Sequence, residues 1–369
     1  MNYKSILNLL GILLAIFSLS FIPPLILSVL YAEQLSEIFL YSFLFLIILG
    51  GFMWFASRQN DLPLNISDGF IITTMFWVVL ACAGSIPFYF FGLSANDAIF
   101  ESVSGITTTG ATVIVGLDEL PKSLLLYRQL LQWIGGMGLI ILAVAVMPAL
   151  GIGGGQLYKM ELPGSHGNQR LTPKITDSAK ALWKIYFGLT VICAFLYVLS
   201  GMNLFDAIAH SLSTVAGGGF STHDASIGFF NSGLIETVCI IFMLLSAASF
   251  AVHYAAIFGG KPLKYFYDSE FRFFLSVVAM IIILSIIIHS LSNSYTDILL
   301  NIRSSIFHTV SIVTTSGFTT ENYSLWPGFL PYLLLVGAFM GACSQSVGGG
   351  IKTWRVLIMV NQAYKEILN

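Results

Sequence analysis

Three short segments of the sequence share one pattern of polar and glycine residues that could bind a cation. They read AIFESVSGITTTGAT from Ala98, AIAHSLSTVAGGGFST from Ala207 and SIFHTVSIVTTSGFTT from Ser305. The segments align without a gap and lie about 100 residues apart. Because glycine has no Cβ, it permits the backbone conformations that turn carbonyl groups toward an ion. Rings of such carbonyls can replace the hydration shell of a cation, and this is the chemistry that the pattern predicts.

Each segment ends in four residues that could form one wall of a carbonyl-lined filter. These residues are Thr107, Thr108, Thr109 and Gly110; Ala216, Gly217, Gly218 and Gly219; and Thr314, Thr315, Ser316 and Gly317. Threonine hydroxyls can add oxygen ligands, and a short helix before each segment would direct its partially negative C-terminal end at the ion. The alternative is that these segments are only close-packing loops at helix ends. Three aligned copies, each set between apolar stretches, favour the filter.

The composition places the segments in a membrane protein. Hydrophobic residues make up 56% of the chain and charged residues 9%, which excludes an ordinary soluble globular protein. A spanning helix needs about 20 apolar residues. We predict spans near residues 6–31, 38–56, 69–91, 130–150, 179–200, 233–258, 271–291 and 328–360. Pro23 and Pro24 predict a kink in the first span, which is too long for a signal peptide.

The order of spans and glycine segments predicts an all-α polytopic membrane protein. Two leading helices within residues 1–68 precede three repeats of helix, pore loop and helix, at 69–178, 179–270 and 271–369. A connector rich in Gly, Pro and polar residues, 151–177, ends the first repeat. The four cysteines show neither metal-ligand spacing nor a disulfide pattern, and we interpret them as small core residues: Cys82, Cys193, Cys239 and Cys343.

The placement of basic residues predicts a cytoplasmic N-terminus with pore loops that enter from outside. In this arrangement the following basic residues lie inside: Lys4, Arg58, Lys159, Arg170, Lys174, Lys180, Lys184, Lys261, Lys264, Arg272, Lys352, Arg355 and Lys365. Those outside are Lys122, Arg128 and Arg303. An excess of Lys and Arg on the cytoplasmic side is typical of multi-span membrane proteins.

Four motifs together resemble those of one transport family. They are SGITTTGAT, GGGFSTHD, RQLLQWIGGMG and GACSQSVGGGIKTWR, and they resemble the Trk-type potassium-uptake subunits, in the superfamily that also holds the Ktr and plant HKT proteins. The resemblance covers essentially the whole chain. It implies uptake of K+ through a single filter to which each repeat contributes one loop, and glycine at positions 110, 219 and 317 is similar to the potassium-selective pattern.

The resemblance also implies the setting in which the chain would work. It implies a multi-pass protein of the bacterial inner membrane, surrounded by lipid and paired as a homodimer. A cytosolic nucleotide-binding regulatory subunit would dock on the basic inner face, and no nucleic acid is expected as a partner. K+ is the transported ion, and no organic cofactor is expected.

A glycine-rich break in the last predicted span suggests a gate. Each glycine costs up to about 1 kcal/mol relative to alanine inside a helix, so this stretch is not a regular helix interior. The resemblance implies an intramembrane loop that blocks or opens the pore, formed by Ser344, Gln345, Ser346, Gly348, Gly349 and Gly350, with Lys352 and Arg355 at its cytoplasmic mouth. The alternative is that the glycines allow tight helix packing and the two charges anchor the topology.

The chain departs from the family in its number of repeats. The family has four and the sequence shows three, so we expect a truncated protein, a fragment of a longer one, or a ring completed by another polypeptide; the first two are favoured. A secondary carrier of another cation and a non-conducting remnant are the rival hypotheses. Energy coupling is left open between a channel and symport with protons or sodium. The sequence shows no nucleophile, metal or nucleotide-binding motif, so we do not expect an enzyme.

Polar residues outside the filter suggest supporting roles. Glu101, His210 and His308 share one repeat position, and we interpret them as polar tethers of the pore helices. Arg128 is predicted either to pair with a loop carboxylate such as Asp118 or Glu119, or to be an interfacial anchor. The glycine motif at residues 133–138 predicts a close helix contact.

Overall fold

The computed structural model describes residues 3–57, 66–146, 175–292, 294–295 and 297–368. Within these residues the regular structure is helical and no strand occurs. The chain divides into two compact units, and their described parts meet in sequence between Lys180 and Ala181. The first unit holds the leading helices and the first repeat, and the second unit holds the other two repeats. The finer division into four parts stays a prediction.

The first unit is built from the leading helices and the first pore helix. Its helices are α1 (Tyr3–Ser18), α2 (Ile22–Leu30), α3 (Ser36–Ala56), α4 (Ile66–Gly84), α5 (Ile86–Phe91), α6 (Ala95–Ile106) and α7 (Lys122–Val146). A 3-10 turn, Leu19–Phe21, separates α1 from α2. Pro23 and Pro24 follow in the first turn of α2, where a missing N–H leaves no helical hydrogen bond unmade. The predicted kink is confirmed.

Aromatic packing around Tyr127 forms the centre of the first unit. The rings of Phe21, Phe39 and Phe88 lie 5.5, 5.6 and 5.2 Å from the Tyr127 ring, between centroids. The Tyr127 hydroxyl donates a hydrogen bond to the Gly84 carbonyl oxygen at 2.8 Å. This bond ties α7 to the end of α4, and the pore helix α6 packs against both helices.

The second unit contains the other two pore helices. Helix α8 (Ile175–Leu199) begins in the first unit and continues into the second. The remaining helices are α9 (Leu204–Ala216), α10 (Gly233–Ala247), α11 (Phe250–Ile257), α12 (Lys264–Tyr267), α13 (Ser269–Leu291), α14 (Ile298–Val313), α15 (Leu330–Met340) and α16 (Thr353–Leu368). Gly337 lets α15 approach its neighbours, because a Cβ there would lie 2.7 Å from Val313 Cγ2 and 2.9 Å from Ile281 Cδ1.

Five helices among the described residues are long and apolar enough to cross a membrane, or six if one bent pair counts as a single span. The five match five of the predicted spans: Tyr3–Leu30, Ser36–Ala56, Asp68–Phe91, Lys180–Leu199 and Ser269–Leu291. The predicted span 130–150 begins earlier, at Lys122, and its last residues lie outside the described part, as do residues 151–174 of the predicted connector.

Two predicted spans are broken. Residues 233–258 form α10 and α11, which bend by 102° between Ala247 and Phe250, so this predicted span is not one straight helix. At the break, Ala248 is extended, and the Ser249 hydroxyl caps a new helix by accepting a bond from Ala251 N–H. Residues 328–360 form α15, an irregular segment and the first part of α16, as the glycines predict.

The cysteines follow their predicted interpretation with one exception. Cys193, Cys239 and Cys343 are buried, but Cys82 is exposed. The interpretation as a core residue is therefore wrong for Cys82. All four thiols are free.

Candidate functional site

The three pore helices, α6, α9 and α14, begin in the same way. The residue before each helix accepts a hydrogen bond from a first-turn N–H group, which satisfies a donor that has no helical partner. The cap residues are Ser94, Asn203 and Asp297, and their donors are Asp97, Asp206 and Leu299. These caps fix where each pore helix starts.

The three pore helices also end in one hydrogen-bonding motif. In α14, the Ser316 N–H donates to the Ser311 carbonyl at 2.9 Å and the Thr315 N–H donates to the Ile312 carbonyl at 3.0 Å. This pair of bonds is the Schellman motif, in which the residue after the helix adopts a left-handed conformation. The equivalent donors are Thr108 and Thr109 after α6, and Gly217 and Gly218 after α9.

The sign of φ alternates through the predicted filter residues of every repeat. Positive φ angles occur at Thr108 (56°), Gly110 (79°), Gly217 (65°), Gly219 (75°), Thr315 (63°) and Gly317 (84°), and not at the residues between them. Glycine adopts such angles freely, whereas a β-branched residue there is an outlier. Thr108 and Thr315 are therefore strained, and strain of this kind is concentrated at functional sites.

A serine on the pore helix braces the residue that follows the filter glycine. The Ser104 hydroxyl donates to the Ala111 carbonyl at 2.5 Å, and the Ser311 hydroxyl donates to the Phe318 carbonyl at 2.6 Å. Ser213, at the same repeat position, is fully buried. Each brace closes the four filter residues into a short loop whose two ends are held by the pore helix. The three serines occupy one position in the aligned segments, and no role is predicted for them from the sequence.

In the first unit, Glu101 tethers the extended segment that follows the filter residues. Its carboxylate accepts hydrogen bonds from the Thr112 hydroxyl at 2.9 Å and from the Val113 N–H at 3.3 Å. Arg128 faces the same carboxylate, with 2.7 Å between its Nε and Glu101 Oε1, and both side chains are fully buried. The interpretation of Arg128 as an interfacial anchor is wrong because the guanidinium is inside the protein. Glu101 is a partner of Arg128 that the sequence pattern does not predict.

The glycine motif of α7 allows the pore helix to approach. A Cβ on Gly135 would overlap the Ile106 carbonyl oxygen at the end of α6, and a Cβ on Gly138 would lie 2.8 Å from the Trp77 ring. The predicted close helix contact is confirmed. It fixes the C-terminal end of α6, from which the first filter segment emerges.

In the second unit, histidines replace the glutamate as tethers. His210 Nε2 lies 2.9 Å from the Ser221 hydroxyl, and His308 Nε2 accepts a bond from the Thr320 N–H at 3.3 Å. Both imidazoles are fully buried. The predicted tethering role of the shared position is confirmed for all three repeats.

The second unit brings the second and third filter segments together. A Cβ on Gly219 would overlap the Ser316 carbonyl oxygen and lie 3.3 Å from the Gly317 carbonyl carbon. The loops beyond the segments are also joined, because the Gly228 N–H donates to the Thr319 carbonyl at 3.1 Å. The first segment, residues 107–110, belongs to the first unit and has the same local conformation.

Two of the predicted gate residues lie directly against the third segment. The Gly349 N–H donates to the Thr315 hydroxyl at 2.7 Å, and a Cβ on Gly348 would lie 3.0 Å from the Thr314 carbonyl oxygen. Lys352 turns back on the gate, and its ammonium donates to the Gly348 carbonyl. The last predicted gate residue, Arg355, is exposed on α16.

The first part of the gate forms hydrogen bonds with both helix ends at the break between α10 and α11. The Cys343 N–H donates to the Ala247 carbonyl at 3.0 Å, and the Gln345 carbonyl accepts from the Phe250 N–H at 3.0 Å. Between them, the buried Ser344 donates its N–H to the Glu270 carboxylate, and Ser346 closes a turn on the Cys343 carbonyl. Sequence analysis missed Glu270, although an acidic residue at the start of an apolar span was the available signal.

Comparison with known proteins identifies relatives along the whole chain. The family described as TrkH, cation transport protein, matches residues 35–368. The Trk system potassium uptake protein TrkH of Halomonas elongata is 47% identical over 371 residues, covering 100% of this chain and 77% of that protein. The protein of the same description from Escherichia coli K12 is 43% identical, again over 100% and 77% of the two chains.

A solved structure shows the same fold. The crystal structure of the potassium transporter TrkH from Vibrio parahaemolyticus superposes with a TM-score of 0.88 at 45% sequence identity, and it covers 100% of this chain and 76% of the other. This match confirms the predicted all-α membrane fold. The relatives are transport proteins, in agreement with the expectation of no enzymatic activity. The chain belongs to the TrkH family of cation transport proteins.

Proposed function

We propose that this chain takes up K+ across the inner membrane of a bacterial cell, through a filter lined by the backbone of residues 107–110, 216–219 and 314–317. Relatives more than 40% identical over the whole chain are described as potassium uptake proteins, which supports the substrate. The observation that carries the filter assignment is structural. Alternating φ signs after a Schellman-terminated helix occur at the same residues in all three repeats.

The geometry suggests how an ion would be held. The Schellman bonds use the N–H groups at the helix end inside the protein, so the partially negative C-terminal end of each pore helix faces the filter segment. A backbone with alternating φ signs turns neighbouring carbonyl groups toward one side, and such oxygens replace water around a dehydrated cation. The serine braces and the tethers keep this arrangement in place as ions pass.

The gate is proposed to be the segment between Gly341 and Lys352. It lies against the second and third filter segments, and this contact supports a position on the route by which an ion would leave them. Conduction would require this segment to move away from Thr315. Lys352, bonded to the Gly348 carbonyl, and Arg355 would stand where the ion reaches the cytoplasm.

The partners proposed for the chain follow from its family. We infer a homodimer in lipid, with a cytosolic nucleotide-binding regulatory subunit on the basic face and the N-terminus in the cytoplasm. The relatives are described as parts of a Trk system, which supports a regulatory partner. The excess of Lys and Arg between the repeats supports the orientation.

Substitution of one filter glycine tests the function. Gly317 has a φ of 84° and no atom within 4 Å of a built Cβ, so Gly317→Ala perturbs the backbone without a clash. Gly328 shares both properties, with a φ of 62°, but lies outside the filter, and Gly328→Ala is the matched control. In a bacterium that lacks its own potassium transport, we expect an assembly that contains this chain and a complete filter to support growth at low K+.

The two variants should then differ in ion selectivity rather than in the amount of protein in the membrane. Gly317→Ala should lower the preference for K+ over Na+ in rubidium-uptake competition, and Gly328→Ala should leave it unchanged. Equal selectivity in both variants would show that Gly317 does not line the ion path. Absence of uptake by the unaltered assembly, despite its presence in the membrane, would contradict the proposed function itself.

A further inference from the structure

Glu270 joins the two ends of the gate segment. Its Oε1 atom accepts a hydrogen bond from the Ser344 N–H at 2.5 Å and a second from the Trp354 N–H at 3.1 Å. Ser344 is in the first half of the gate, and Trp354 is in the first turn of α16, which follows it. A carboxylate near a helix N-terminus is also favoured by the helix dipole.

The gate segment is closed on itself at the same place. The Ala342 N–H donates to the Gly349 carbonyl at 3.2 Å, and the Thr353 N–H donates to the Ala342 carbonyl at 3.0 Å. The Thr353 hydroxyl adds a bond to the Gly341 carbonyl at 3.0 Å. The segment is thus a compact loop rather than an open strand, and Glu270 binds it from a different helix.

Glu270 lies where a movement of the connector would reach the gate. It is in the first turn of α13, immediately after α12 and the connector that carries Lys261 and Lys264. Asp268 caps α13 by accepting the Phe271 N–H at 2.9 Å, so the helix start is fixed independently of Glu270. Displacement of the start of α13 would therefore pull on Ser344 and Trp354 through one carboxylate.

We propose that Glu270 is the positioning residue that holds the gate segment against the filter, and that the connector before α13 opens the gate by withdrawing it. This inference rests on the proposed function, because it names the control of the same gate. The Ser344 N–H is buried and lies in an irregular segment, outside any helix. Loss of its acceptor, the Glu270 carboxylate, therefore destabilises the described conformation directly. Other bonds to the gate come from Thr315, Ala247, Phe250 and Phe339, none of which is on α13.

The test uses a cysteine that the chain already places in the gate. Cys343 is 1% exposed, and its neighbour Ser344 makes the bond to Glu270. In a Cys82→Ser background, which removes the exposed thiol, the rate of Cys343 modification by N-ethylmaleimide reports opening of the gate. Mass spectrometry of peptides assigns the label to Cys343 rather than to Cys193 or Cys239, and this readout does not depend on ion flux.

Three variants separate positioning from general stability. Glu270→Ala should raise the Cys343 labelling rate by about tenfold or more, since bonds to a charged acceptor are lost. Glu270→Gln keeps an oxygen acceptor and should restore slow labelling for the most part. Asp268→Ala removes a cap from the same helix without touching the gate, and its labelling rate should match that of the parent.

Flux measurements complete the test. In cells that lack the regulatory subunit, Glu270→Ala should raise rubidium uptake relative to the parent, and Asp268→Ala should not. Slow Cys343 labelling in Glu270→Ala, or equally fast labelling in Asp268→Ala, would overturn the positioning role even if uptake is normal. Fast labelling in Glu270→Ala with no uptake by any variant would instead reject the proposed function and leave the positioning role standing.

Discussion

The first and third repeats perform one task with different chemistry. In the first, a buried ion pair between Glu101 and Arg128 holds the extended segment after the filter glycine. In the third, the imidazole of His308 does so, and its Nδ1 atom lies 3.0 Å from the Ser304 carbonyl on its own helix. Both tethers are fully buried and start from the same position of the repeat.

The difference shows that the repeats share a hydrogen bond from this position to the segment after the filter glycine, and do not share a charged side chain. A carboxylate at this position needs a cation from another helix, because an isolated buried charge is very costly. An imidazole needs only an acceptor on one side and a donor on the other. The first repeat therefore depends on α7 for its tether, whereas the third contains nearly everything within its own pore helix and loop.

The largest effect is expected from removal of the charge partner in the first repeat. Arg128→Met leaves the Glu101 carboxylate buried without its cation, and the free energy of unfolding should fall by about 3–5 kcal/mol. Thermal unfolding of the purified protein in detergent measures the loss. Arg272→Met, at an exposed arginine, is the control, and the double variant Glu101→Gln/Arg128→Met should recover much of the loss. Equal stability of the Arg128 and Arg272 variants would contradict the account.

A smaller effect is expected from the tether of the third repeat. His308→Phe keeps a ring against Trp326, whose centroid is 5.1 Å away, but removes the acceptor of the Thr320 N–H. An amide left unbonded in this way costs about 1–3 kcal/mol. Amide hydrogen exchange at Thr320 should accelerate in the variant, and His308→Gln, which keeps an acceptor, should exchange more slowly than His308→Phe. Unchanged exchange would show that the bond is not what holds the loop.

Replacing the strained threonine by glycine should change the free energy of unfolding differently in the first and third repeats, by about 1 kcal/mol. Thr108→Gly relieves a left-handed conformation that costs an L-residue about 1–2 kcal/mol, partly offset by the greater entropy of glycine in the unfolded chain. It should be neutral or slightly stabilising in thermal unfolding. Thr315→Gly also loses the hydroxyl that accepts the Gly349 N–H, and it should be destabilising, whereas Thr315→Ser keeps that bond. A more stable Thr315→Gly protein would refute the gate contact.

The smallest effect is an acid sensitivity in the third repeat. Partial burial opposes ionisation of Glu321, but hydrogen bonds from Ser304, Tyr295 and Trp326 outweigh it and lower its pKa below the ordinary 4.5. Its stabilising contribution is therefore complete above that value and is lost as the pH falls through the lowered pKa. The parent protein should lose more stability on acidification than Glu321→Gln does. Parallel stability curves for the two proteins would rule the contribution out.

Contiguous features of the sequence predicted the architecture. Apolar length located five spans, Pro23 and Pro24 located the kink, and the gap-free alignment at Gly110, Gly219 and Gly317 identified three repeats. These features are visible in one dimension because each depends on neighbouring residues. The polar residue shared by the repeats was correctly read as a tether for the same reason, since its partner lies a short loop away.

Pairings between distant residues were not visible in the pattern. Glu101 and Arg128 are 27 residues apart, and Glu270 and Ser344 are 74 apart, so neither pair has a periodic signature. The bend between α10 and α11 was missed because small apolar residues are compatible with a continuous helix. Its cause lies in a segment almost a whole repeat later, which supplies hydrogen bonds that the broken helix lacks.

The bend between α10 and α11 also bears on how the protein is made. During translation both helices emerge long before Cys343 and Gln345, which bond to Ala247 and Phe250 in the finished structure. A peptide group without a partner is costly inside a bilayer, so the newly inserted segment favours a straight helix until those residues arrive. The second repeat therefore reaches its mature shape only as the third is threaded into place. A ribosome stalled before residue 343 would carry a nascent chain in which the second repeat is present but still unbent.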